Sequence, residues 1–226
     1  MQPTKPSQSL TQLIINVVVP TFILIKGAET SFLSPVSAFS IAISIPLLYG
    51  AIDYIKSRKH NFFALIGLVN IALTGTIGLL ELDPKWLAIK EAGVPFVLGI
   101  AVLLSARFGK PFLEPVIEFV FDMDRIRRAL KSPKKQESFS AKVVLSTYMV
   151  AVSFFLSFLL NYILAKILVH SPPGTVEFNQ ELGRMTALSF PVIALPSALI
   201  LIAAIWMLVR HIRELTGLSL EEVIRQ

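Results

Sequence analysis

Residues 141–169 read AKVVLSTYMVAVSFFLSFLLNYILAKILV, a run whose only charges are Lys142 and Lys166. A helix crossing the ~30 Å hydrocarbon core of a bilayer needs about 20 mostly apolar residues. This run exceeds that length, and in hydrocarbon a single segment satisfies its backbone only as a helix. Five further stretches read the same way: 10–25, 32–55, 62–80, 84–106 and 186–209. The whole chain agrees, with 226 residues, 54% hydrophobic and only 16% charged, where soluble domains carry about a quarter. The expected fold is all-α: a polytopic bundle of six transmembrane helices forming one domain over residues 1–226. Residues 107–140 would be a cytoplasmic connection within it and 210–226 a cytoplasmic tail helix.

Charge sets the orientation. The N-terminus, the loop after the second stretch, residues 107–142 and the tail together hold 16 of the 21 Lys and Arg. By the positive-inside rule that side is cytoplasmic, so both termini are expected to face the cytoplasm of a multi-pass membrane protein. The net charge of +6 then reports topology, and nucleic acid is not an expected partner. Residues 1–10 lack a signal-peptide cleavage pattern, so the first apolar run is expected to be retained.

No cysteine is present, which removes disulfides, thiolate metal sites and cysteine nucleophiles. His60, His170 and His211 fall in three separate polar segments, so no metal and no cofactor are expected. No nucleophile, base and orienting group come together in any span, and the sequence does not point to an enzyme.

Pro20, Pro46, Pro95, Pro191 and Pro196 lie within the apolar stretches. They read either as simple kinks or as broken helices around a substrate site. Polar residues inside the bilayer are the other pointers, because hydrocarbon penalises them unless paired or wet. Gly67, Asn70, Thr74 and Gly78 share one helix face; Ser153, Ser157, Asn161 and Ala165 repeat at i+4. Both read first as packing seams and second as a polar pathway lined by Asn70 and Asn161. Asn16 in the first stretch joins these candidates.

Lys90 and Glu91 form the most informative pair. Counted back from Arg107, Lys90 lies about 25 Å from the cytoplasmic end, close enough to snorkel to the outer surface. Trp86, one turn earlier, suits the aromatic belt. Glu91 shares its face with Pro95, Gly99, Val102 and Ala106 and is expected to point into the bundle, with Lys85, Lys26 and Arg184 as candidate partners. Asp53 precedes the basic loop and could pair with Lys56 or Ser57; Asp83 is a further candidate.

Between the fourth and fifth stretches, Phe112, Val116, Phe119, Val120, Met123 and Leu130 recur at helical spacing, opposite Glu114, Glu118, Asp122 and Arg125. This predicts one amphipathic helix over 111–131 on the inner leaflet. The basic run 125–135 that follows would attract anionic lipid headgroups. In the tail, Ser219 and Glu222 form a capping box, with Leu218 and Val223 as its hydrophobic staple.

The block 54–114 carries a basic loop (Lys56-Ser57-Arg58-Lys59), a Gly/Thr-bearing span, and then Asp83, Trp86, Leu87 and Lys90. It resembles a family of uncharacterised bacterial six-helix membrane proteins and, more distantly, the intracellular septation protein A family. Glu91 departs from that family, which has proline there, and two further spans follow the shared block. The resemblance implies a bacterial inner-membrane protein linked to cell-envelope maintenance or division. With the small-residue seams and the amphipathic cytoplasmic helix, the expected function is that of a non-enzymatic envelope or septation-related protein acting through contacts with membrane-protein partners or with further copies of itself. The alternative is a transporter-like protein for a small molecule or lipid, with a polar intramembrane site at Asn16, Asn70, Glu91 and Asn161.

Overall fold

The computed structural model describes residues 14–27, 33–57 and 62–224. Among the described residues there is no strand, only an antiparallel bridge between Phe121 and Ile224. The described parts of all six apolar stretches are helical: α1 (Ile14–Lys26), α2 (Pro35–Ser57), α3 (Phe62–Leu79), α4 (Lys85–Arg107), α7 (Pro133–Leu168) and α8 (Val176–Thr216). Two short helices, α5 (Leu113–Val120) and α6 (Met123–Ala129), precede α7, and α9 (Leu220–Val223) closes the chain. Four segments are long and apolar enough to cross a membrane: Pro35–Ile55, Lys85–Arg107, Pro133–Leu168 and Val176–Thr216. Ile14–Lys26 and Gly67–Leu79 are apolar but shorter. This is a helical membrane protein, and exposed side chains such as Val97, Val152 and Ile202 are surface suited to lipid.

Two helices begin earlier than apolarity predicts, because helical bonding does not stop where hydrocarbon does. α7 starts at Pro133, where Ser132 Oγ accepts the N–H of Lys135. α8 starts after Thr175, whose hydroxyl accepts the N–H of Phe178 at 3.1 Å. Hydroxyl caps of this kind satisfy donors the first turn leaves open. Each π-helical turn, Ile14–Val18 and Phe190–Ala194, lies beside a proline. A proline supplies no N–H, so the hydrogen-bond ladder must shift there.

Contacts divide the chain into two compact units. The first comprises Met1–Ala92 with Leu160–Val192. Its centre is Phe39, buried against Phe178 with ring centroids 6.0 Å apart. Gly78 lets α3 lie directly on the Phe39 ring: a Cβ at that position would sit among the ring atoms. Asn179, fully buried, donates from Nδ2 to the Pro35 carbonyl at 2.7 Å and ties α8 to the start of α2.

The second unit comprises Gly93–Leu159 with Ile193–Gln226. Here the predicted amphipathic helix over 111–131 is corrected, because it is broken into α5 and α6 at Phe121 and Asp122. Phe121 is extended and bridges Ile224, while the Asp122 N–H donates to the Val223 carbonyl. The Asp122 side chain then caps α6 by accepting from the Arg125 N–H at 3.0 Å. The apolar face is corrected too. Leu113, Ile117, Phe121, Ile126 and Leu130 are the buried residues, packed with Val143, Leu208, Ile212 and Val223. Phe112, Val116, Phe119 and Val120 are exposed.

The tail docks on this segment. Arg125 donates to the Glu222 carbonyl at 2.7 Å, Glu222 accepts from the Ser219 N–H at 2.8 Å, and Val223 is fully buried. Gly217, at φ +72°, ends α8 in the left-handed conformation that turns the chain back. The Ser219 N–H holds the Glu222 carboxyl below its ordinary range. A carboxylate whose pKa is depressed on folding contributes above its unfolded value and loses that contribution as pH falls through the folded one. Protection of residues 218–224 from hydrogen exchange is therefore expected to fall below about pH 4. Arg125→Ala is expected to lower it at every pH.

Candidate functional site: a polar cavity in the first unit

α3 places Asn70 and Thr74 one turn apart, and α4 places Lys90 and Glu91 side by side. The Thr74 hydroxyl donates to the Asn70 carbonyl at 3.1 Å. The Lys90 ammonium donates to Thr74 Oγ1 at 2.7 Å and to the same carbonyl at 3.5 Å. It also pairs with Glu91 Oε1 at 2.6 Å. An ammonium in a low-dielectric interior needs such a set, because each unmet donor there is expensive.

This corrects the expectation that Lys90 snorkels outward: its side chain is only 7% exposed. Distance along the helix axis allowed an outward reach, but α3 offers acceptors within hydrogen-bonding distance. Glu91 is 21% exposed, and its partner is Lys90 rather than the three cations considered. Lys85 is taken by Asp83 at 3.1 Å, while Lys26 and Arg184 are exposed.

Beside this pair lies a cavity of about 250 Å³. α1 lines it with Asn16, Pro20 and Leu24, α2 with Ala42, Ile43 and Pro46, and α3 with Asn70, Ile71 and Thr74. Glu91 of α4 and Leu182, Met185, Thr186 and Ser189 of α8 complete the wall. Asn16, Asn70 and Glu91 thus meet around one space, with Lys90 bonded behind it.

Other candidates lie elsewhere. Asn161, on α7, does not line the cavity. Asp53 is exposed near the end of α2, and the side chains of Lys56 and Ser57 lie outside the described residues. Asp83 caps α4, accepting from the Lys85 N–H at 2.8 Å. That N–H, with the Lys85 ammonium, holds the Asp83 carboxyl below its ordinary range. Trp86 is exposed, and His60 lies outside the described residues. Gly67 and Gly78, read as one seam with Asn70 and Thr74, differ: Gly67 faces open space, Gly78 faces Phe39.

Sequence reasoning missed Thr186 and Ser189, since a hydroxyl in an apolar helix usually only back-bonds to its own turn. It also missed Glu181, which accepts from the His170 N–H, the Ser171 N–H and Ser171 Oγ, each at 2.9 Å, and so fastens the loop before α8. No periodicity signals that clasp. Among the described residues, no three His, Cys, Asp or Glu side chains gather as a metal site. No protein family, no curated protein and no solved structure matches the chain.

Proposed function

We propose that this chain is a small, non-enzymatic membrane carrier whose substrate occupies the cavity bounded by Asn16, Asn70, Thr74 and Glu91. The observation that carries the reading is the Lys90–Glu91 pair beside that cavity, with the ammonium buried and the carboxylate partly so. Charged groups in a membrane interior are costly and mark substrate or ion pathways by default. Substrate sites built from proline-interrupted helices near mid-bilayer are a recurrent transporter design.

The reading takes six spans with both termini on the cytoplasmic face of a bacterial inner membrane. Helices at all six apolar stretches support it, as does the concentration of 16 of the 21 basic residues in the N-terminus, the loop after the second stretch, residues 107–142 and the tail. Exposed Lys131 and Lys134 would face anionic headgroups; Arg125 and Lys135 are engaged by the Glu222 and Leu215 carbonyls instead. One observation favours the septation-related alternative: the exposed apolar face Phe112, Val116, Phe119 and Val120, which a membrane-protein partner could cover.

The chain has no cysteine, so Ser189→Cys would introduce its sole thiol. A thiol reacts as the thiolate, which forms only where water reaches it. Cys at 189 is expected to be modified by a small charged, membrane-impermeant reagent. A control cysteine replacing Ala151, 1% exposed, should stay unmodified. An unreactive thiol at 189 would mean a dry interior and would overturn the carrier reading.

A further inference from the structure

The hydrogen-bonding balance of the cavity points to the class of ligand. Pro46 has no N–H, so the Ala42 carbonyl in α2 loses its helical donor, and Pro95 does the same to the Glu91 carbonyl in α4. Pro46, Ala42 and Glu91 line the cavity, with Ala42 fully buried in its wall.

The hydroxyls add to this excess. Thr186 donates to the Leu182 carbonyl at 2.9 Å and Ser189 to the Met185 carbonyl at 2.8 Å. Their protons are spent within α8, and what remains is lone pairs. Thr74 spends its proton likewise, on Asn70. The one charged donor nearby is already committed, since Lys90 bonds Thr74, the Asn70 carbonyl and Glu91 Oε1. The Asn16 and Asn70 amides each bring a donor end and an acceptor end, leaving the balance unchanged. Acceptors therefore outnumber donors around a space of about 250 Å³, with Ile43, Ile71 and Met185 supplying an apolar wall.

We propose that the cavity binds a small organic ammonium ion, a protonated amine on a short alkyl chain. Its N–H groups would meet the α8 hydroxyl oxygens and the Glu91 carboxylate, and its alkyl part the apolar wall. An anion would find only the Asn16 and Asn70 amide donors among a majority of acceptors. A bare alkali ion would leave most of the volume and the apolar wall unused.

The proposal rests on the carrier reading, and the two fail separately. A thiol at 189 that stays unreactive removes both, whereas a reactive thiol with no ammonium effect removes only the ligand class. The test uses the full chain in detergent micelles, with thermal unfolding followed at fixed ionic strength in n-butylammonium, butyrate or sodium ions. Butylammonium is expected to raise the midpoint saturably, and butyrate and sodium to leave it in place. Glu91→Gln should abolish the shift. Should that variant fail to fold, Thr186→Val with Ser189→Ala, which leaves the ion pair intact, should weaken binding about tenfold. An equal shift from butyrate or sodium, or no shift from butylammonium, would overturn the proposal.

Discussion

Lys90→Met is expected to destabilise the protein by about 3 kcal/mol, the lower end of the range for breaking a buried ion pair, because the Glu91 carboxylate it leaves behind is partly exposed. The loss is large because methionine leaves the Glu91 carboxylate without its counter-charge. It also leaves Thr74 Oγ1 and the Asn70 carbonyl without the ammonium they accept from. Removing both charges, as Lys90→Met with Glu91→Leu, should recover most of the loss, since an apolar pair of similar volume needs no compensation. Equilibrium unfolding of the wild type, Lys90→Met, Glu91→Leu and the double variant in mixed micelles closes the double-mutant cycle. A single-variant loss below about 1 kcal/mol would mean that the pair is hydrated and individually weak.

Gly78→Val is expected to cost about 3 kcal/mol or more, at the upper end for overpacking. The Phe39 ring occupies the space a Cβ would need, and it is itself buried against Phe178. Either the ring or the α2–α3 packing has to shift to admit the new side chain. Gly67→Val on the same helix is the control. A Cβ there meets nothing within 4 Å, so the change should lie within about 0.5 kcal/mol. Equal effects at the two positions would mean that α2 and α3 do not pack through Phe39.

The positions of the long helices were legible because desolvation acts on composition, and composition is written along the chain. Lys90 was not, because an axial distance carries no information about which neighbour stands beside the side chain. Its acceptors lie 16 and 20 residues away. The break at Asp122 was illegible for a related reason: its cause is the Val223 carbonyl, about a hundred residues further on. The cavity was half legible. Asn16, Asn70 and Glu91 stood out as polar groups in apolar runs. Thr186 and Ser189 did not, because the availability of their lone pairs depends on what their own helix does with each proton.

The length of α7 has a mechanical meaning. Its apolar run begins at residue 141, yet the helix begins at Pro133, so it carries on about 12 Å past that point. This projecting turn is braced. Lys135 donates to the Leu215 carbonyl at 2.7 Å, and Ser138 bonds His211 at 3.1 Å. A braced helical stub of this kind works as a stand-off. It fixes the height at which α5, α6 and the tail sit relative to the apolar run, so that a change in bilayer thickness or helix tilt would be felt there as a displacement.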